Sequence, residues 1–125
     1  MEIRLSTGRK RQVVDVTDRV QEVVSTGDSL CVVQVPHTTA GVVVNENETG
    51  LLSDIEDLLA ELVPEDDWEH DRMDDNAEAH LRSVLVGSSV SIPVENGRLD
   101  LGRWQSVLFI ESDGPRDRKL KIETV

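Results

Sequence analysis

The chain has 125 residues, 13 basic and 25 acidic side chains, a net charge of −12, and only three aromatic residues, Trp68, Trp104 and Phe109. That length is one domain with room for a real core, while the acid excess and scarce aromatics exclude a general binder of nucleic-acid backbones or single strands. No apolar run approaches the roughly 18 residues of a membrane span, and a single cysteine, Cys31, excludes an internal disulfide.

The opening segment, MEIRLSTGRKRQ, has no apolar stretch behind its charges, so it does not read as a secretion signal and a cytoplasmic protein is expected. The basic residues are ten Arg and only three Lys. Lysine depletion with an acid excess is expected of a protein from a high-salt cytoplasm, where dissolved ions screen the self-repulsion.

Nineteen valines, mostly in short runs, favour pleated sheet. Strands are predicted over Glu2–Ser6 and Arg11–Val16. A short helix follows, with Thr17 as its cap, Val20, Val23 and Val24 on one side and Gly27 past its end. The next strands are Leu30–Val35, in which Cys31 packs as a small hydrophobe, and Gly41–Glu46. Leu51, Leu52, Ile55, Leu58, Leu59 and Leu62 keep helical spacing up to Pro64. Asp75, with Glu78 three residues on, predicts the capped start of a third helix that carries His80, Leu81, Val84 and Leu85 and closes at Gly87. Strands then follow over Ser89–Val94, Arg98–Leu101, Gln105–Ser112 and Asp117–Val125. Asn96-Gly97 between the first two of these specifies a hairpin, because a type I′ turn needs positive φ at both positions. Without regular βαβ alternation, the order predicts a single α+β domain over residues 1–125, mostly antiparallel.

Three histidines can carry chemistry. His37 lies in the loop Pro36-His37-Thr38-Thr39-Ala40-Gly41, His70 in a polar stretch, and His80 at the border of a helix's apolar stripe. Their spacing matches no local metal signature, so each taken singly reads as a surface or hydrogen-bonded histidine rather than a ligand. Glu46 shares strand parity with Val42 and Val44, which places its carboxylate toward the core as a base, a ligand or half of an ion pair; Asn45 points the other way. Arg116 and Arg118 share parity with Leu120 and Ile122. Guanidinium groups on an apolar face need bidentate anions, either a bound phosphate or diphosphate or a carboxylate of the chain such as Glu111. Trp104 is expected in core or interface packing, and Gln105 at the entry to a strand. No G-x-S-x-G elbow supports a serine nucleophile.

The string His37-Thr38-Thr39-Ala40-Gly41, then Asn45-Glu46 and Asp54, resembles the YjbQ family. So do Pro64, His70, Asn76, Ala79-His80, Gly87, Pro93, Asn96-Gly97-Arg98-Leu99, Leu101-Gly102, Trp104-Gln105 and Gly114-Pro115-Arg116-x-Arg118. The resemblance runs from about residue 2 to the end; Thr39 stands where Ser is common, and the hydroxyl is kept. It implies a two-sheet β-sandwich with about three helices, a homotrimer and a thiamine-phosphate synthase activity. That activity joins a pyrimidine-methyl diphosphate to a thiazole phosphate and releases pyrophosphate.

The family pattern includes all three histidines and Glu46. It implies a site of His37, His70 and His80 as metal ligands or acid–base groups, with Glu46 as base or orienting carboxylate. Asn45, Arg116 and Arg118 would contact a small phosphorylated metabolite. Three imidazoles suit a Zn-like ion, whereas a diphosphate substrate suits Mg²⁺. A metal-dependent hydrolase of a phosphorylated or acyl metabolite, and a non-catalytic anion-binding trimer, are therefore the alternative expectations.

Overall fold

Along the last strand, Asp117–Thr124, every second residue is buried. Arg118, Leu120 and Ile122 face inward, while Asp117, Lys119, Lys121 and Glu123 face out, as a strand with one face on a core requires. The computed structural model, which describes residues 1–125, contains eight strands. They are β1 (Glu2–Ser6), β2 (Gln12–Asp15), β3 (Leu30–Gln34), β4 (Ala40–Asn45), β5 (Ser89–Glu95), β6 (Arg98–Leu99), β7 (Ser106–Glu111) and β8 (Asp117–Thr124). One sheet has the order β1-β8-β3-β5-β6 and the other β2-β7-β4. Every pairing is antiparallel. The β5–β6 hairpin turns at Asn96 and Gly97, both at positive φ (52° and 78°), as the dipeptide predicts.

The inner faces of the two sheets make one core. Cys31, Val33, Ile92, Leu120 and Ile122 of the larger sheet meet Val42, Val107 and Phe109 of the smaller. Each such side chain taken from water contributes roughly 1.5–3 kcal/mol. Helix α1 (Thr17–Gln21) closes one end with Val20. Helix α2 (Thr49–Leu62) lies against β2, and α3 (Ala77–Val86) against β4. Strand β7 is consequently buried on both faces, with Leu108 and Ile110 turned away from Phe109.

Several local expectations are corrected. Thr17 does not cap α1 but is its first residue; its hydroxyl donates to Asp15 and accepts from the Val107 N–H, tying the helix to β7. The start of α3 has no Asp75–Glu78 capping box. Asp71 accepts from the Ala77 N–H instead, and Glu78 is buried with Lys10 Nζ 3.2 Å away. The box fails because α3 begins at Ala77, two residues past Asp75. Strand β4 ends at Asn45, so Glu46 lies just beyond the ladder and is only half-buried. Of the two places expected for Trp104, the core is excluded: it is 65% exposed, with the Arg103 guanidinium 4.8 Å from its ring centre. Gln105 precedes β7, and its side-chain oxygen accepts from the Gly102 N–H to close that turn.

Candidate functional site

The inward parity of Arg118 places a guanidinium between the sheets. It meets Glu111 of β7, on the facing sheet, in a bidentate pair of which the Nε–Oε1 bond is 2.9 Å. Both side chains are almost fully buried. Thr39 Oγ1 accepts a further bond from Arg118 at 2.9 Å, and the Thr7 hydroxyl donates to Glu111 at 2.7 Å. A buried ion pair is tolerable only when its remaining hydrogen-bonding positions are filled in this way. Of the two partners open to Arg118 from sequence, the chain's own carboxylate is the one present.

This network anchors the loop that carries His37. Extending the β3–β8 register, in which Gln34 faces Lys121, sets Lys119 opposite Pro36, where the chain turns away. The Lys119 N–H would lose its ladder acceptor there. His37 Nε2 replaces it, at 2.9 Å. The bond assigns the tautomer with hydrogen on Nδ1, because Nε2 is an acceptor. Burial, then the nearby Arg118 cation, holds the His37 imidazole below its ordinary value of 6.5, against a smaller opposing pull from Glu111.

Two clefts share His37 as a wall. The first, about 630 Å³, is lined by Arg4, Arg19, Arg118 and Lys119, with Asp117 the one carboxylate. Arg118 is neutralised by Glu111, but Arg4, Arg19 and Lys119 form no ion pair. Three free cations in one cleft of a chain with net charge −12 are a local inversion of sign. The second cleft, about 590 Å³, runs from Pro36, His37 and Thr38 to His80, Ser83 and Ser88. Its floor depends on Gly41, where a Cβ would stand 2.5 Å from the Gly87 carbonyl oxygen and 2.6 Å from Val86 Cγ1. Only glycine lets the end of α3, and with it His80 and Ser83, approach β4 this closely.

His80 also lines a third cleft of about 390 Å³ with Trp68 and His70. The His70 and His80 rings meet edge to face, 4.6 Å between centres. His70 Nε2 is buried without a hydrogen-bond partner; Asp74 Oδ2, at 3.6 Å, stands beyond reach. The structure thus brings His70 to His80, and His80 to the cleft of His37. No three His, Cys, Asp or Glu side chains of the chain are grouped to hold a metal ion. With His37 Nε2 turned to a backbone N–H, one chain's donors do not fit a three-imidazole centre.

Glu46 and Asn45 line none of these clefts. Asn45 Oδ1 accepts from the Glu46 N–H at 2.8 Å, which holds the turn after β4. Arg116 is exposed and paired with Asp113 at 2.8 Å, so neither arginine of the Gly114–Arg118 turn offers an uncompensated charge. Arg4, Arg19 and Lys119 supply it instead. Sequence reasoning missed them because they come from β1, α1 and the outward parity of β8, and single charged residues on such elements give no local signal.

The comparisons agree along the whole chain. The family model described as UPF0047 protein YjbQ-like matches residues 1–125. A UPF0047 protein of Archaeoglobus fulgidus is 46% identical over 126 residues, covering 100% of both chains. One of Bacillus subtilis, YugU, is 37% identical, over 97% of this chain and 95% of its own. Among solved structures, the hypothetical protein APE1520 of Aeropyrum pernix K1 superposes with a TM-score of 0.95 at 45% identity, covering 100% of this chain and 96% of the other. An uncharacterized conserved protein of Clostridium acetobutylicum gives 0.93 at 39% identity, over 100% and 99%. With motifs, two-sheet topology and these likenesses in agreement, the chain belongs to the YjbQ family of UPF0047 proteins.

Proposed function

We propose that the protein is a transferase acting on a small phosphorylated metabolite, of the thiamine-phosphate synthase type, working as a homotrimer. The observation that carries this reading is the first cleft: Arg4, Arg19 and Lys119, unpaired, around the neutral His37. In that reaction the methylene–oxygen bond of the pyrimidine-methyl diphosphate breaks and diphosphate leaves with the electron pair. The thiazole nitrogen's lone pair forms the new carbon–nitrogen bond, and no proton has to change hands. What the protein must supply is stabilisation of charge on the departing oxygens, which preorganised cations provide best in a site shielded from water. His37, with Nε2 engaged, can contribute a hydrogen bond from Nδ1–H rather than act as a base. Mg²⁺ brought in by the diphosphate would take oxygen ligands and add to the same stabilisation.

The test is purified protein with both substrates and Mg²⁺, followed by chromatography for thiamine phosphate. Product that falls at least about tenfold in an Arg4→Gln/Arg19→Gln variant supports the reading, since each lost charged contact is of the order that gives such a factor. No product from the wild type overturns it. Hydrolysis that needs a transition metal and is lost in His70→Ala would then favour the hydrolase, with ligands completed by a second copy. Binding without turnover would favour an anion-binding trimer.

A further inference from the structure

Away from His37, the chain gathers a second group of cations. A cleft of about 350 Å³ lies where the end of α2 and the middle of α3 meet the loop before β2. Lys10, Arg11 and Arg82 line it, with Ala60 and Pro64 as its apolar wall and Glu65 its one carboxylate. It shares no residue with either cleft of His37. Arg82 is only 3% exposed. Its Nε and Nη2 both donate to the Val63 carbonyl, at 3.1 and 2.8 Å, which ties α3 to the end of α2. That carbonyl satisfies donors but brings no counter-charge. Neither Arg82 nor Arg11 forms an ion pair. Glu65 and the buried Glu78 are engaged by Lys10 instead, whose Nζ lies 3.0 and 3.2 Å from them. Arg82 Nη1 has no partner in the chain and is not among the sealed-off polar atoms, so it opens to the cleft that its side chain lines. Burial holds the Arg82 guanidinium below its ordinary value; Glu78 opposes this, and the nearby Arg11 cation adds to it. Two like charges on one small cleft, one of them cut off from water, suit a tetrahedral oxyanion. Planar guanidinium groups match its oxygens, and such charge-assisted bonds are the strong ones.

We propose that this cleft is a second anion site, which binds a tetrahedral oxyanion between Arg82 and Arg11 with Lys10 beside it. It is independent of the chemistry at His37. The ligand is phosphate, either the free ion or the phosphoryl end of a small metabolite. Glu65, held only through Lys10 and otherwise exposed, is the carboxylate that competes with it.

The test titrates inorganic phosphate, at constant ionic strength, into the Arg4→Gln/Arg19→Gln protein, in which the cleft beside His37 has lost two cations. NMR signals of the Arg82 Nε–H and the Glu65 amide move and saturate. Arg11→Gln added to that protein weakens binding about tenfold, the worth of one charged hydrogen bond. Arg11 is half-buried and precedes β2, so this variant leaves the tie between Arg82 and Val63 in place. Glu65→Gln tightens binding, because the competing charge is gone. Arg82 signals that stay still, or an Arg11→Gln protein that binds phosphate as its parent does, overturn the proposal. If phosphate moves only His37 signals in the wild type, the first cleft stands and this one falls. A sugar phosphate then distinguishes the source. Binding as tight as that of phosphate assigns the site to a phosphorylated metabolite, and its exclusion assigns the site to the free ion.

Discussion

Arg118 and Glu111 join the two sheets through a bidentate ion pair at one end of the core, seven residues apart in sequence but on facing layers of the sandwich. Their side chains are 4% and 0% exposed. Removing either one leaves the other charged and buried. Arg118→Ala or Glu111→Ala should therefore lower stability by roughly 3–5 kcal/mol, measured by chemical denaturation. Arg118→Met/Glu111→Leu together should cost much less, because no uncompensated charge remains. A double variant as unstable as the sum of the singles would show that the pair itself, and not the orphaned charge, matters.

Burial, and then the Arg118 cation, give His37 a pH dependence. His37 titrates below 6.5 in the folded chain, so between that lower value and 6.5 the unfolded state binds more protons. Stability from this group is complete above pH 6.5 and declines as pH falls toward the folded value. Protonation also removes the lone pair that accepts from Lys119. Thermal unfolding from pH 8 to pH 5 should show this loss, and His37→Gln should flatten that part of the profile. An unchanged profile in the variant would remove His37 as its source.

Gly41→Ala tests the approach of α3 to β4. The new Cβ meets a backbone oxygen at 2.5 Å and a Val86 methyl at 2.6 Å, and the carbonyl cannot rotate aside as a side chain could. Overpacking of this kind costs about 1–3 kcal/mol. The His80 ring signals should shift in the variant, while those of Asn96-Gly97, in the distant β5–β6 hairpin, should not.

The charge balance predicts a salt response. With net charge −12, raising KCl from about 0.1 M to about 2 M shortens the screening length from roughly 10 Å to a few ångströms. The melting temperature should rise across that range, and equal melting in both salts would sink the high-salt habitat.

If the proposed homotrimer is right, light scattering in 2 M KCl gives three times the 13.9 kDa chain mass, and a single chain mass overturns it. Leu58 and Leu62 of α2, 53% and 60% exposed, are among the exposed large apolar side chains that a neighbouring copy could cover. Leu58→Glu/Leu62→Glu should lower the mass if that face is used; an unchanged trimer places the contact elsewhere.

From sequence alone, the strands were legible wherever apolar residues alternate, as in β5 and β8, and the hairpin turn from Asn96-Gly97, since φ preference is a property of the residues themselves. The inward face of Arg118 was legible too, because strand parity is local. Its partner was legible only as a candidate: Glu111 stood beside a bound phosphate or diphosphate and the other acidic residues until the sheets packed and β7 came to lie opposite β8. The same holds for the site. The resemblance brought His37, His70 and His80 into view, but only the end of the β3–β8 ladder decided that His37 turns Nε2 to the Lys119 N–H. Only packing between sheets and helices gathered Arg4, Arg19 and Lys119 around it and left Glu46 beside a turn. Local periodicity dictates which way a side chain faces; what it meets there is set by registers between strands that can lie at opposite ends of the sequence, as Glu2 and Lys121 do, and that information exists only in the folded chain.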